Sequence, residues 1–177
     1  MASESLQRRI AALEERVARL ETARDTAGDV GSTSREDTFW ALEGLRRRLA
    51  GRGQVLFTGA LDLPTGEHYE WQQGALADGL LAADWSEHAA SYAALGHPVR
   101  LTLLRAVLRG IRSATELQEV AGLNTTGQLY HHLKQLTATG WLQAEGRGHY
   151  RVPAGRVVPL LVLVSAVVPP GSRQETE

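Results

Sequence analysis

From Thr125 to Thr139 the sequence reads TTGQLYHHLKQLTAT and contains no acidic residue. Leu129, Leu133 and Leu136 recur at i, i+4 and i+7, so in a helix they share one inward face. The opposite face then carries Gly127, His131, Lys134 and Gln135, with Gln128 and Tyr130 on its flanks. Amide and imidazole groups can hydrogen-bond base edges, and an ammonium group can neutralise phosphate. Thr125 and Thr126 stand where the helix begins, within reach of the same surface. His131 and His132 are adjacent and point about 100° apart, so they cannot serve one metal ion from this helix. His131 faces outward. His132 lies at the edge of the buried face and is expected to be packed and hydrogen-bonded.

The flanking elements must hold that helix out. A first helix fits Pro98 to Arg109, with proline where its missing N–H costs nothing and Gly110 where a helix ends. Leu101, Leu104 and Leu108 are expected to make its apolar face. A second helix opens at Ser113, with Glu116 three residues on as a capping box, and Leu117 and Val120 facing inward. Gly122 ends it, leaving only a few residues before the next helix, the spacing of a helix-turn-helix. Gly140 closes the third helix. Trp141-Leu-Gln-Ala and His149-Tyr-Arg-Val then flank Glu145-Gly-Arg-Gly148, which reads as a two-stranded wing. Arg147 is at its tip, and His149 and Arg151 are on its second strand.

Leu-Gly-His-Pro-Val-Arg-Leu, then Tyr-His-His-Leu-Lys-Gln-Leu and Gly-Trp-Leu with a Gly-Arg-Gly wing, resembles the ArsR/SmtB family of bacterial transcriptional regulators. The resemblance covers about a third of the chain. It implies a winged helix-turn-helix, a homodimer and sequence-specific binding of double-stranded DNA, in the manner of a repressor. It also implies a leading dimer helix from Asp84 and a C-terminal one at Val157–Val168. Trp85, Tyr92, Leu160, Leu161, Leu163 and Val164 would then be dimer residues. The family's metal sites are not matched. Thr115–Val120 has no thiol where one site places cysteines, and Val157–Val168 has no Asp, His or Glu for the other. No metal and no cofactor is expected.

Charge is distributed as groove binding asks. The whole chain has a net charge of −1, but Leu95 to Arg156 carries eight Arg or Lys against three Glu, a surplus of +5. With no cysteine, disulfides and thiolate chemistry are excluded. No nucleophile, base and orienter are set out by any motif, so no enzyme is expected. The start of the chain is charged, without an apolar leader, and the longest apolar stretch is too short for a bilayer, so the expectation is a cytoplasmic protein with no membrane partner.

Ahead of this module, Leu6, Ile10, Leu13, Val17 and Leu20 are spaced four, three, four, three. Ile10 and Val17 at a, with leucine at d, and Arg–Glu at each g–e′ pair favour a parallel two-stranded coiled coil. Residues 26–34 are small and polar, a linker. A helix with a Phe39, Leu42, Leu45 and Leu49 stripe follows. Then Val55, Phe57, Leu61 and Leu63 alternate, as do Tyr69 and Trp71 after Pro64-Thr-Gly66, which predicts a β-hairpin. Its apolar face either packs on the preceding helix or, through Phe57, Tyr69 and Trp71, lines a pocket for an unidentified small-molecule or protein effector. The expected organisation is a coiled coil at 1–25, a linker at 26–34, a helix and hairpin at 35–83, the winged-helix module with its dimer helices at 84–168, and a disordered tail at 169–177. The fold class is mainly α with small β (α+β). The competing class is an interaction protein that uses coil and hairpin to hold a partner.

Overall fold

The computed structural model describes residues 9–10, 13–19, 39–48 and 53–168. Leu6, Leu20, Leu49, the linker and the tail lie outside the described residues. The chain divides into two compact units, Met1–Leu49 and Ala50–Glu177.

In the first unit, residues 9–10 and 13–19 are helical. Ile10, Leu13 and Val17 are exposed there. Arg19 pairs with Glu15 one turn back at 3.3 Å. Helix α1 spans Trp40–Arg46, with Phe39 at its N-cap position.

The second unit mixes helices with two separate antiparallel hairpins. Strands β1 (Gln54–Asp62) and β2 (His68–Leu76) pair first, followed by the short helix α2 (Ala77–Ala82). A 3₁₀ turn at Trp85–His88 leads into α3 (Ala89–Leu95). Then come α4 (Pro98–Leu108), α5 (Ala114–Val120) and α6 (Thr126–Ala138). Strands β3 (Gln143–Gly146) and β4 (His149–Arg151) precede α7 (Ala154–Ala166), which starts three residues earlier than the sequence suggests. No described helix is long and apolar enough to cross a membrane.

Local chemistry sets the helix ends. The Ser113 hydroxyl accepts from Glu116 N–H at 3.3 Å, the N-cap bond, and donates to the Glu116 carboxylate in place of the backbone return bond of a capping box. The Thr125 hydroxyl accepts from Gln128 N–H at 3.3 Å and caps α6. Helices α4, α5 and α6 all stop in the same way. A glycine with positive φ (Gly110, Gly122, Gly140) is followed by an apolar residue whose N–H reaches back to the third-last helical carbonyl. Those bonds are Ile111 to Ala106 at 3.0 Å, Leu123 to Gln118 at 3.1 Å and Trp141 to Leu136 at 2.9 Å.

The core lies between α4, α5, α6 and α7. It is built from Leu103, Leu104 and Val107, then Leu117, then Leu129, Leu133 and Leu136, with Trp141, Leu142, Val157 and Leu160 closing it. Two expected core positions are absent from it. Leu101 is 41% exposed and Val120 is 47% exposed. The buried edge of α4 is rotated toward Leu103 and Val107, and the short α5 is fixed by Leu117 alone. The helix expected from Asp84 begins instead as the 3₁₀ turn, capped by the Asp84 carboxylate, which accepts from Ser86 N–H at 2.9 Å. Trp85 and Tyr92 are exposed.

The first hairpin lies on α7. Gly59 faces Val158 so closely that a β-carbon there would stand 2.7 Å from Val158 Cγ1. Across the hairpin Gly59 is paired with Trp71, whose ring lies against Gly155. Trp141 Nε1 donates to the Ser91 carbonyl and hydroxyl at 3.1 and 3.0 Å, tying the end of α6 to α3.

Candidate nucleic-acid interface

Helix α6 separates its two faces cleanly. Leu129, Leu133 and Leu136 are buried, while Thr126, Gly127, Gln128, Tyr130, His131, Lys134 and Gln135 are exposed. Its first turn holds no acid. Gly127 is at the second helical position, and a β-carbon there would meet nothing within 4 Å. Folding of the protomer therefore does not require glycine at this point. Alanine would favour the helix by up to about 1 kcal/mol. A glycine on an exposed helical face lets another molecule approach the backbone closely.

The second hairpin is docked at the start of α5. Ala114 N–H donates to the Gly148 carbonyl at 2.8 Å, and Tyr150 N–H to the Arg112 carbonyl at 2.9 Å. Ser113 forms an antiparallel bridge with His149. Arg147 and Gly148 make the two-residue turn, both with positive φ (50° and 73°), as a type I′ turn requires. Arginine in that conformation is strained relative to glycine, by about 1–2 kcal/mol. Its side chain is exposed.

The other two candidates on this hairpin are partly committed to it. His149 Nδ1–H donates to the Arg147 carbonyl at 3.2 Å, bracing the turn. Arg151 Nε pairs with Glu145 at 3.2 Å, and its Nη2 donates to Gln143 at 3.3 Å. Arg151 is thus a weaker source of positive charge than its position in the sequence suggests. Thr125 likewise spends its hydroxyl on the cap of α6. Arg100, counted in the basic surplus, holds the end of α3 by donating to the Ala94 and Ala93 carbonyls at 2.5 and 2.7 Å.

His132 is packed as expected, against the His97 ring at a centroid distance of 4.7 Å. Its Nδ1, expected to be hydrogen-bonded, is buried without a partner among the described residues. Burial pushes its pKa below the ordinary histidine value, helped by His97, Arg100 and His131 nearby. This histidine pair was not legible beforehand, since His97 and His132 are 35 residues apart in sequence.

Phe57, Tyr69 and Trp71 share one face of the first hairpin, but they do not line one pocket. Tyr69 joins the core, and Trp71 lies on Gly155. Phe57 alone reaches an open cleft of about 740 Å³ between the hairpin, α3 and α7, which also includes Tyr92 and Leu163. Among the dimer candidates, Trp85 and Tyr92 are 64% and 62% exposed. Leu160 is buried in the core and has no surface to offer a partner. Leu161 and Val164 line a separate groove against α4. The sequence matches no protein-family model, and no curated protein matches it.

Proposed function

We propose that the chain is a homodimeric winged helix-turn-helix regulator of the ArsR type that binds double-stranded DNA as a repressor. In this reading α5 and α6 are the helix-turn-helix, α6 enters the major groove, and the second hairpin is the wing. The observation that carries it is the exposed, acid-free face of α6 with Gly127 in its first turn, a glycine the protomer has no use for. Gln128, His131 and Gln135 would read bases, and Lys134 and Arg147 would contact phosphate. Strain held at a turn tip by an exposed arginine fits a residue kept for a contact.

The dimer would form through exposed Trp85 and through Tyr92 and Leu163, which line the α3–α7 cleft, supported by the coil of Ile10, Leu13 and Val17. No cofactor or metal is needed for such a regulator. The test is a gel-shift selection on fragments of the source genome across a salt series. The proposal expects a discrete set of retained fragments whose affinity falls steeply with salt. Uniform retention of all fragments, or none, would refute it and favour a module that binds protein.

A further inference from the structure

On the far side of α7 from the α3 cleft, a groove of about 470 Å³ opens between α4, α7 and the turn of the first hairpin. Leu101, Leu104 and Leu108 form one wall, Leu161 and Val164 the other, and Leu63 closes one end. Among the described residues, no aromatic ring and no amide or hydroxyl side chain lines it. The only ionic groups among the described residues lining it are Arg105 in the last turn of α4 and Arg109 at its C-cap. Both are exposed, and neither has an acidic partner among the described residues.

We propose that this groove binds a single-chain aliphatic carboxylate, with the chain between α4 and α7 and the carboxylate on Arg105 and Arg109. The all-aliphatic lining fixes the first half of that ligand. A ligand polar along its length would leave its polar groups unpaired against leucine. Two unpartnered guanidinium groups fix the second half, since they match a carboxylate in charge and hydrogen-bonding geometry. The size suits a small ligand, as such sites run from about 300 to 1,000 Å³. A second copy of the chain suits the groove less well. A two-fold contact here would bring four unneutralised arginines together around apolar surface.

The test is calorimetric titration of the full chain with octanoate, decanoate and dodecanoate below their micellar range, and with dodecanol. Affinity should rise about fourfold per added methylene, the equivalent of about 0.8 kcal/mol. Dodecanol should bind about tenfold more weakly than dodecanoate. In Arg105→Gln/Arg109→Gln that preference for the acid should vanish while the dependence on chain length remains. Leu161→Glu, at a site already 37% exposed and so tolerated by the fold, should abolish binding of both. Three results would overturn the proposal: affinity independent of chain length, full preference for the acid in the double arginine variant, or Leu161→Glu that dissociates the dimer while wild type binds no dodecanoate. The last would make the groove a surface between copies of this chain. None of these readouts depends on DNA binding.

Discussion

Arg112 joins the two hairpins of the second unit. Its Nη2 donates to Glu67 Oε2 at 2.6 Å, beside the turn of the first hairpin, while its carbonyl accepts from Tyr150 N–H on the second. The Thr65 hydroxyl donates to the same Glu67 oxygen at 2.6 Å. The bond from Thr65, then that from Arg112, hold the Glu67 pKa below its ordinary value.

Because the folded pKa is depressed, Glu67 contributes stability above the ordinary glutamate value and loses it as pH falls through the folded value. The side chain is 39% exposed, so screening limits the effect to no more than about 1 kcal/mol. Glu67→Gln should lower stability in urea unfolding at pH 7, and the loss should shrink as the pH falls below the ordinary glutamate value. A loss independent of pH would show that the charge is irrelevant.

Gly59→Ala should destabilise the chain by about 1–3 kcal/mol, because its methyl group would overlap Val158. Val158→Ala alone leaves a cavity, but in the double variant the two changes should compensate, giving a coupling energy above about 0.5 kcal/mol. Additive losses in thermal or urea unfolding would mean that the hairpin does not rest on α7.

His132 gives a second pH dependence, of the same sign by a different route. Its folded pKa lies below the ordinary 6.5, so the unfolded chain takes up the proton first and stability falls as pH drops below 6.5. The groups that face it are His97, Arg100 and His131, all of which resist its protonation. His132→Leu should flatten the stability profile between pH 7.5 and 5.5. A profile unchanged from wild type would place the titration elsewhere.

The elements that could be read in the sequence are those fixed by local chemistry. Ser113 with Glu116, Thr125, and the glycines at 110, 122 and 140 act through bonds to residues within one turn, and each stands where it was expected. Periodicity found the buried stripe of α6 but misassigned Leu101 and Val120. A three- and four-residue repeat identifies an apolar stripe without saying which half the neighbouring helices cover. The docking of the first hairpin on α7 and the Glu67–Arg112 and His97–His132 pairs join residues 35 to about 100 positions apart, where no local pattern reports contact. Of the candidate surface, the exposed set on α6 was legible. The commitment of Arg151 and His149 to their own hairpin was not, because it depends on the register of β3 and β4.

Gly127→Ala should separate folding from function. With open space around that position, the variant should be as stable as wild type or more so, by up to about 1 kcal/mol, in urea unfolding. Its affinity for a retained DNA fragment should fall all the same. A variant that is more stable and binds as wild type does would remove the glycine from the argument.

If the outward face of α6 reads DNA sequence, removing its polar side chains must cost specific affinity. Fluorescence anisotropy of a retained fragment should be compared for wild type and Gln128→Ala/His131→Ala, each against a scrambled fragment. The double variant should lose roughly 1–3 kcal/mol for each base contact removed on the retained fragment, with little change on the scrambled one. Arg147→Ala should weaken both fragments alike and flatten the salt dependence by about one unit of slope. Unchanged affinity for the retained fragment in Gln128→Ala/His131→Ala would mean that this face of α6 does not read bases.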